Sequence, residues 1–472
     1  MEKTRKIYLC ALFCTQFKHQ VSSLTAYKVF LIQIIPHNRH KDTQMLNRKT
    51  APAIYEVSHL TLPIPELKHL DNGIPVYVLD YPGQEIVKIE AVFRTGRPEE
   101  EKRLAARATA RLLRDGTLQK SGAALAEHID FYGASLSIPT NLDTSSFILF
   151  SLKKYAHEVI PTFAEMLQSP SFPEDELENF RRTNIQELLV ELEKGETVAY
   201  RKVTELIFGE QHPYGYNSMP HDYTAIQRAD LQYFFDTWYT PSNCLLFASG
   251  RIDAEILSML NQHFGQKKGA TIIPPVVSTA EKYAPPASPA RANVQVPLPG
   301  SLQTAIKIGR RLFNRSHPDF NGLVVLNTVL GGYFGSRLMT NIREKKGFTY
   351  NIYSSVDAYL LDGCLYIATE VSPEKSSAAV RAIFREMKKL REMPVPEEEL
   401  SMVRNYILGM LLNGLDGPIN SSDMIRNQII ENQSPENFET MVHTVRNISA
   451  EALQALAQQY LQQKDFWVVT VG

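Results

Sequence analysis

Pro173-Glu-Asp-Glu-Leu-Glu-Asn-Phe-Arg181 returns 223 residues later as Pro396-Glu-Glu-Glu-Leu-Ser-Met-Val-Arg404. Both copies put proline at a helix start, where its fixed φ suits the first turn, and follow it with acids, which the helix dipole favours there. Each is preceded by another helical stretch, 155–168 and 373–391, and followed by a long amphipathic one. The surroundings agree at nearly the same offset. Leu231 to Gly250 runs from a helix into the apolar strand Leu245–Ser249, and Leu453 to Gly472 does the same into Phe466–Val471, with the two glycines 222 residues apart. Both halves open on alternating strands, Glu85–Phe93 and Ala305–Arg310, each holding a Lys-Ile pair. Matching starts, middles and ends imply a duplicated unit.

Within each half, strands come first, helices fill the middle and a strand closes. That order predicts an α+β fold of two tandem homologous domains, each an antiparallel β-sheet packed with α-helices. Asp362-Gly363, between Tyr353–Leu360 and Cys364–Glu370, adds a hairpin signal. Between the halves lie Pro274, Pro275, Pro285, Pro286 and Pro289, a linker composition. The expected domains are therefore 52–265 and 290–472, joined by 266–289. Residues 1–51 are set apart as an extension. The first 44 carry seven basic and two acidic residues around a short apolar run, Ile7–Phe13, and a second methionine, Met45, precedes the domain-like sequence. We expect the start at Met45, with a targeting segment as the alternative.

Composition narrows the function classes. Fifty basic residues balance 51 acidic ones, which excludes the basic excess of a nucleic-acid binder. The 472 residues are 44% hydrophobic and contain no apolar run of the ~20 residues that span a bilayer. The four cysteines, Cys10, Cys14, Cys244 and Cys364, are too scattered for a disulfide framework and point to a reducing, cytoplasmic setting.

Two stretches carry chemistry: the helix Arg103-Leu-Ala-Ala-Arg-Ala-Thr-Ala-Arg-Leu-Leu-Arg-Asp-Gly-Thr117, and Gly331-Gly-Tyr-Phe-Gly-Ser-Arg-Leu-Met-Thr-Asn-Ile-Arg-Glu-Lys-Lys-Gly-Phe-Thr-Tyr350. In the second, Arg337–Lys346 reads as a helix closed by Gly347 in the left-handed conformation, with Phe348–Val356 following as a strand. Arg343, one turn before the helix end, and Tyr350, just beyond the reversal, can then face one space. The ordinary reading is a charged helix face beside a half-buried strand. Gly331-Gly332 lacks the Lys-Ser/Thr of a phosphate loop, so Gly331 is expected to stop a helix over 321–330.

With Tyr239-Thr-Pro-Ser-Asn243 and His212-Pro-Tyr-Gly215, these stretches resemble the insulinase/pitrilysin family of zinc peptidases, in particular its short bacterial members and the mitochondrial processing peptidase. The resemblance covers roughly 52–472. Active members carry His-x-x-Glu-His, whose two imidazoles share a helix face and bind zinc beside a glutamate base. Aligned through Gly116-Thr117, that motif falls on Arg107-Ala108-Thr109-Ala110-Arg111, with arginine for both ligands and Ala110 for the base. A guanidinium has no free lone pair and stays charged, so it repels a dication. None of the twelve histidines forms an i, i+4 pair elsewhere. The family's third ligand falls on Glu187, and Glu187 is expected to pair with Arg107 or Arg111 in place of a metal, or else to be a plain surface carboxylate.

The resemblance gives Arg343 and Tyr350 a role as well, because active relatives use such a pair to hydrogen-bond the substrate carbonyl. The implied function is a non-zinc-binding subunit of a heterodimeric peptidase. It would bind no cofactor, cleave no peptide alone, and supply Arg343 and Tyr350 in trans to a homologue that holds the zinc. The alternative is a non-catalytic scaffold or peptide-binding subunit of an assembly.

Overall fold

The computed structural model describes Val57, residues 59–266, 293–434 and 436–472; the expected extension and nearly all of the expected linker lie outside the described residues. The first half contributes strands β1 (Glu66–His69), β2 (Pro75–Asp80), β3 (Ile86–Phe93), β4 (Ser135–Ser137), β5 (Ser145–Leu152) and β6 (Cys244–Gly250), in the sheet order β1-β2-β6-β3-β5-β4. Its helices are α1 (Ala105–Leu112), α2 (Gly122–Phe131), α3 (Ala156–Gln168), α4 (Glu174–Leu192), α5 (Gly195–Phe208), α6 (Pro220–Ala225), α7 (Arg228–Trp238) and α8 (Ala254–Phe264).

The second half contributes β7 (Asn293–Val296), β8 (Thr304–Leu312), β9 (Ile352–Ala358), β10 (Gly363–Val371) and β11 (Trp467–Val471), in the order β7-β11-β8-β10-β9. Its helices are α9 (Phe320–Asn327), α10 (Ser376–Glu392), α11 (Glu397–Gly414), α12 (Gly417–Ile430), α13 (Glu436–Asn447) and α14 (Ala450–Tyr460). Without β1, the two sheets have one topology, so the duplication read from the sequence is a duplication of structure. Each sheet is antiparallel apart from one parallel pair, β2 with β6 and β7 with β11. The hairpin forms as expected: β9 and β10 pair antiparallel, and Tyr359 donates its N–H to the Asp362 carbonyl at 2.8 Å.

The repeated Pro-acid segments start α4 and α11, with Pro173 and Pro396 at the caps and three acids in each first turn. Each sheet packs one face on helices of its own half. Val87, Ile89, Ala91 and Phe93 of β3 enter the first core, and Ile306, Ile308 and Leu312 of β8 enter the second. The opposite faces are covered by exchange. Ala199, Val203 and Ile207 of α5, in the first half, bury against Ala305, Val469 and Val471 of the second sheet. Ile425 and Ile430 of α12, in the second half, bury against Leu79, Val92 and Phe247 of the first. Burying each Val, Ile or Phe side chain contributes on the order of 1.5–3 kcal/mol, so these crossed faces tie the halves together. Both belong to one compact unit, Glu56–Gly472.

The lysines of the two Lys-Ile pairs lie on those crossed faces. Lys88 is 1% exposed and donates to Asp423 of α12 at 2.6 Å, with Glu90 at 3.2 Å. Lys307 is likewise buried and reaches Glu196 of α5 at 3.0 Å. Period-two alternation places Lys88 and Lys307 opposite their apolar neighbours, and each finds its acid on the other half's helix.

Candidate functional site

The helix expected at Arg103–Thr117 forms as α1, entered through Leu104 with φ 73°, a left-handed conformation unusual for a branched residue. Ala105, Ala106, Ala108, Ala110 and Leu112 face the core, which leaves Arg107 and Arg111 exposed, one turn apart on the outer stripe. Both reach a cavity of about 330 Å³ between α1 and α4, and Glu187 lines its far side. Three of the four residues singled out at the zinc motif therefore share one space. Ala110 does not: it is fully buried in the first-half core.

The expected direct pairing of Glu187 is not made. Arg107 donates from Nη2 to Asn184 Oδ1 at 2.8 Å and from Nη1 to the Tyr223 hydroxyl at 3.3 Å. Arg111 Nη1 lies 3.5 Å from Asp115, one turn further along its own helix. Among the described residues no ion pair within 4.0 Å joins Glu187 to either. Nearer partners take both guanidinium groups, and Glu187 is exposed to solvent. This residue set does not fit zinc: two cationic groups without donor lone pairs stand where imidazoles would bind, and an alanine methyl stands where a base would act.

The second stretch builds a different surface. A helix does precede Gly331, but it continues past that residue as a π-helical turn, Thr328–Gly332. Gly331 instead marks a close approach: a Cβ there would lie 2.6 Å from the Ser354 backbone nitrogen on β9. The Arg337–Lys346 helix is π-helical over Met339–Lys345. It ends as expected on Gly347, φ 60°, with the Gly347 N–H donating to Arg343 O and the Phe348 N–H to Ile342 O, both at 3.1 Å. The strand starts later than expected, at Ile352, because Phe348–Asn351 completes the reversal. Arg337 anchors the segment on α11 through a two-pronged ion pair with Glu399, at 2.9 and 2.8 Å.

Arg343 and Tyr350 come together. The guanidinium carbon lies 5.6 Å from the Tyr350 ring centroid and 4.8 Å from that of Phe334. Tyr350 is 88% exposed and Phe334 63%. Among the described residues the Arg343 side chain makes no ion pair or hydrogen bond, so its donors are open to a ligand. Phe334 was not singled out in the sequence. Its signal was an aromatic pair, Tyr333-Phe334, flanked by Gly332 and Gly335, and the structure adds that Tyr333 turns inward to Tyr406, 5.1 Å between centroids, leaving Phe334 outside.

Of the remaining motifs, His212-Pro-Tyr-Gly215 helps build the seam between the halves, and Tyr239-Thr-Pro-Ser-Asn243 braces the first half. The Tyr214 hydroxyl donates to Asp143, whose other oxygen accepts the Leu360 N–H at 3.0 Å. His212 is buried with its Nε2 3.5 Å from Asp362. In the other motif, Asn243 Nδ2 donates to the carbonyls of Arg94 and Trp238, at 3.1 and 2.7 Å. No helix among the described residues is long and apolar enough to cross a membrane.

Residues 225–407 match a family profile described as the peptidase M16 inactive domain. An uncharacterized zinc protease of Mycobacterium tuberculosis is 22% identical over 358 residues, 75% of this chain and 80% of that protein. A Helicobacter pylori protein named as a non-peptidase homolog is 24% identical over 379 residues, 78% of this chain and 79% of that one. The mitochondrial-processing peptidase subunit beta of Lentinula edodes is 21% identical over 440 residues, 87% and 90% of the two chains. The crystal structure of a peptidase M16 inactive domain from Pseudomonas fluorescens has the same fold, with a TM-score of 0.78 at 20% identity over 86% of this chain and 97% of that one. Through the inactive-domain match over residues 225–407 and the shared paired-sheet fold, this chain is similar to the M16 peptidases, the insulinase/pitrilysin-type family.

Proposed function

We propose that this chain is the non-zinc-binding subunit of a heterodimeric zinc metallopeptidase, formed from domains 52–265 and 290–472. Arg343 and Tyr350 would complete, in trans, the active site of a homologue that holds the zinc. The observation that carries this reading is the open Arg343 guanidinium, in contact with the exposed rings of Phe334 and Tyr350. Two donors held in advance at a surface suit a carbonyl oxygen on which charge develops. The naming of one relative as a non-peptidase homolog and of another as a peptidase subunit supports the same division of labour. A cytoplasmic setting goes with it, since Cys244 and Cys364 are both free and buried.

The test is co-purification with a zinc-bearing homologue, followed by peptide cleavage. The chain alone should cleave nothing and the mixture should be active. Arg343→Ala or Tyr350→Phe should slow the mixture by roughly a hundredfold, the usual cost of one oxyanion-type donor. An unchanged rate in both variants would refute the role.

A further inference from the structure

The first-half cavity carries two arginines where a peptidase of this fold would need metal ligands, and that mismatch has its own chemistry. Arg107 and Arg111 are neighbours on one helix face, an arrangement that is mildly destabilising unless an anion sits between them. Arg107 is held in place by Asn184 and Tyr223. Arg111 is less engaged: its one ion-pair partner among the described residues, Asp115, stands 3.5 Å away without a hydrogen bond and is shared with Arg114 at 3.7 Å. Burial pushes the Asp115 carboxyl up, with Arg111 and Arg114 opposing.

The opposite wall has the other sign. Glu176 and Glu187 of α4 face the cavity, and Ile138 and Phe180 give it an apolar patch. With Asp115 beside Arg111, the lining holds two cations and three acids, so a ligand that fits has one carboxylate for the arginines and N–H donors of its own for the glutamates; a dianion would meet both glutamates. The volume, about 330 Å³, suits one or two residues of a chain.

We infer that this cavity binds the C-terminal carboxylate of a peptide: the carboxylate on Arg107 and Arg111, the last side chain, an apolar one, on Ile138 and Phe180, and preceding amide N–H groups toward the acids of α4. Carboxylate recognition by paired guanidinium groups is a strong, geometrically selective contact. The site lies in the first half and needs no partner, so it stands or falls apart from the Arg343/Tyr350 reading.

The test uses the full chain alone and an N-acetylated hexapeptide ending in leucine, as free acid and as amide, with affinity read by calorimetry. The free acid should bind at least tenfold more tightly than the amide. Arg111→Gln should remove that preference while leaving the far-ultraviolet circular dichroism and melting temperature close to those of the parent. Inorganic phosphate should not compete. Equal binding of acid and amide, binding of neither, tighter binding of phosphate, or an unchanged preference in Arg111→Gln would overturn the assignment. If Arg111→Gln proves misfolded, Ile138→Ser serves instead, and should weaken the leucine-ending acid about as much as replacing its last residue by glycine. Loss of cleavage by a mixture with a partner, with this binding intact, would count against the trans-acting pair and not against this site.

Discussion

Single side chains decide what the two exposed features can do. At Arg343 the contact with Phe334 is the shorter of its two ring contacts, 4.8 against 5.6 Å. A cation–π contact at an exposed site stabilises by about 0.5–1 kcal/mol, so Phe334→Ala should slow a partnered peptidase roughly two- to fivefold. In an Arg343→Ala background the same change should do nothing further; additive losses in that double-mutant cycle would show that Phe334 acts independently of Arg343. Glu99 offers a second residue-scale prediction. Burial pushes its carboxyl up to about 7 from 4.5, opposed by the Gly96 N–H at 2.9 Å and reinforced by Asp143. The folded chain therefore holds a proton that the unfolded chain has lost between those pH values. The resulting stability is full below about 4.5 and disappears as pH rises through about 7. The amplitude is roughly 3 kcal/mol at 1.36 per unit. Glu99→Gln should flatten this slope in urea denaturation and raise the midpoint at pH 8; an identical slope in parent and variant would exclude Glu99 as its source.

Among the elements, the π-helical segments are the least ordinary. Thr328–Gly332 and Met339–Lys345 flank the turn that presents Phe334, and Gly331 is what lets the first lie against β9. Gly331→Ala would put a methyl 2.6 Å from both the Ser354 nitrogen and its Oγ, and 2.9 Å from Leu338 Cδ1. The nitrogen belongs to backbone and cannot step aside, so a loss of about 1–3 kcal/mol is expected from overpacking. Equal chemical-denaturation midpoints for parent and variant would contradict this. The sequence made some elements plain and hid others for physical reasons. Proline followed by three acids marks α4 and α11 because those signals are local. The Gly347 cap and the Asp362-Gly363 hairpin were legible on the same grounds. A π bulge leaves no such mark, since it answers to packing against β9 and α11. Residue type and spacing brought Arg107, Arg111 and Glu187 to one cavity but could not show that Asn184, Tyr223 and Asp115 would claim the guanidinium groups first.

For the whole molecule, the exchange of α5 and α12 matters most, and amphipathic patterning could not reveal it: an apolar stripe calls for a sheet without saying whose. Each exchanged helix answers a buried lysine, and the two lysines are not equivalent. Around Lys88 lie Glu90, fully buried, and Asp423, both also bonded to Arg426 at 2.8 and 3.1 Å. Lys88→Met would leave two acids sharing one cation, with Glu90 out of reach of water. Breaking a buried pair from one side costs about 3–5 kcal/mol. Lys307 is buried too, but its partner Glu196 is 54% exposed and can be hydrated once the lysine is gone, while a methionine can rest on the rings of Tyr200, Tyr353 and Tyr366. Lys307→Met should therefore cost only about 1 kcal/mol, the scale of a solvent-exposed ion pair. Because Asp423 and Arg426 belong to the second half, Lys88→Met should also speed amide hydrogen exchange in α12 as well as in β3. A larger loss for Lys307→Met, or faster exchange confined to the first half, would mean that the crossed helices do not bind the halves into one cooperative unit.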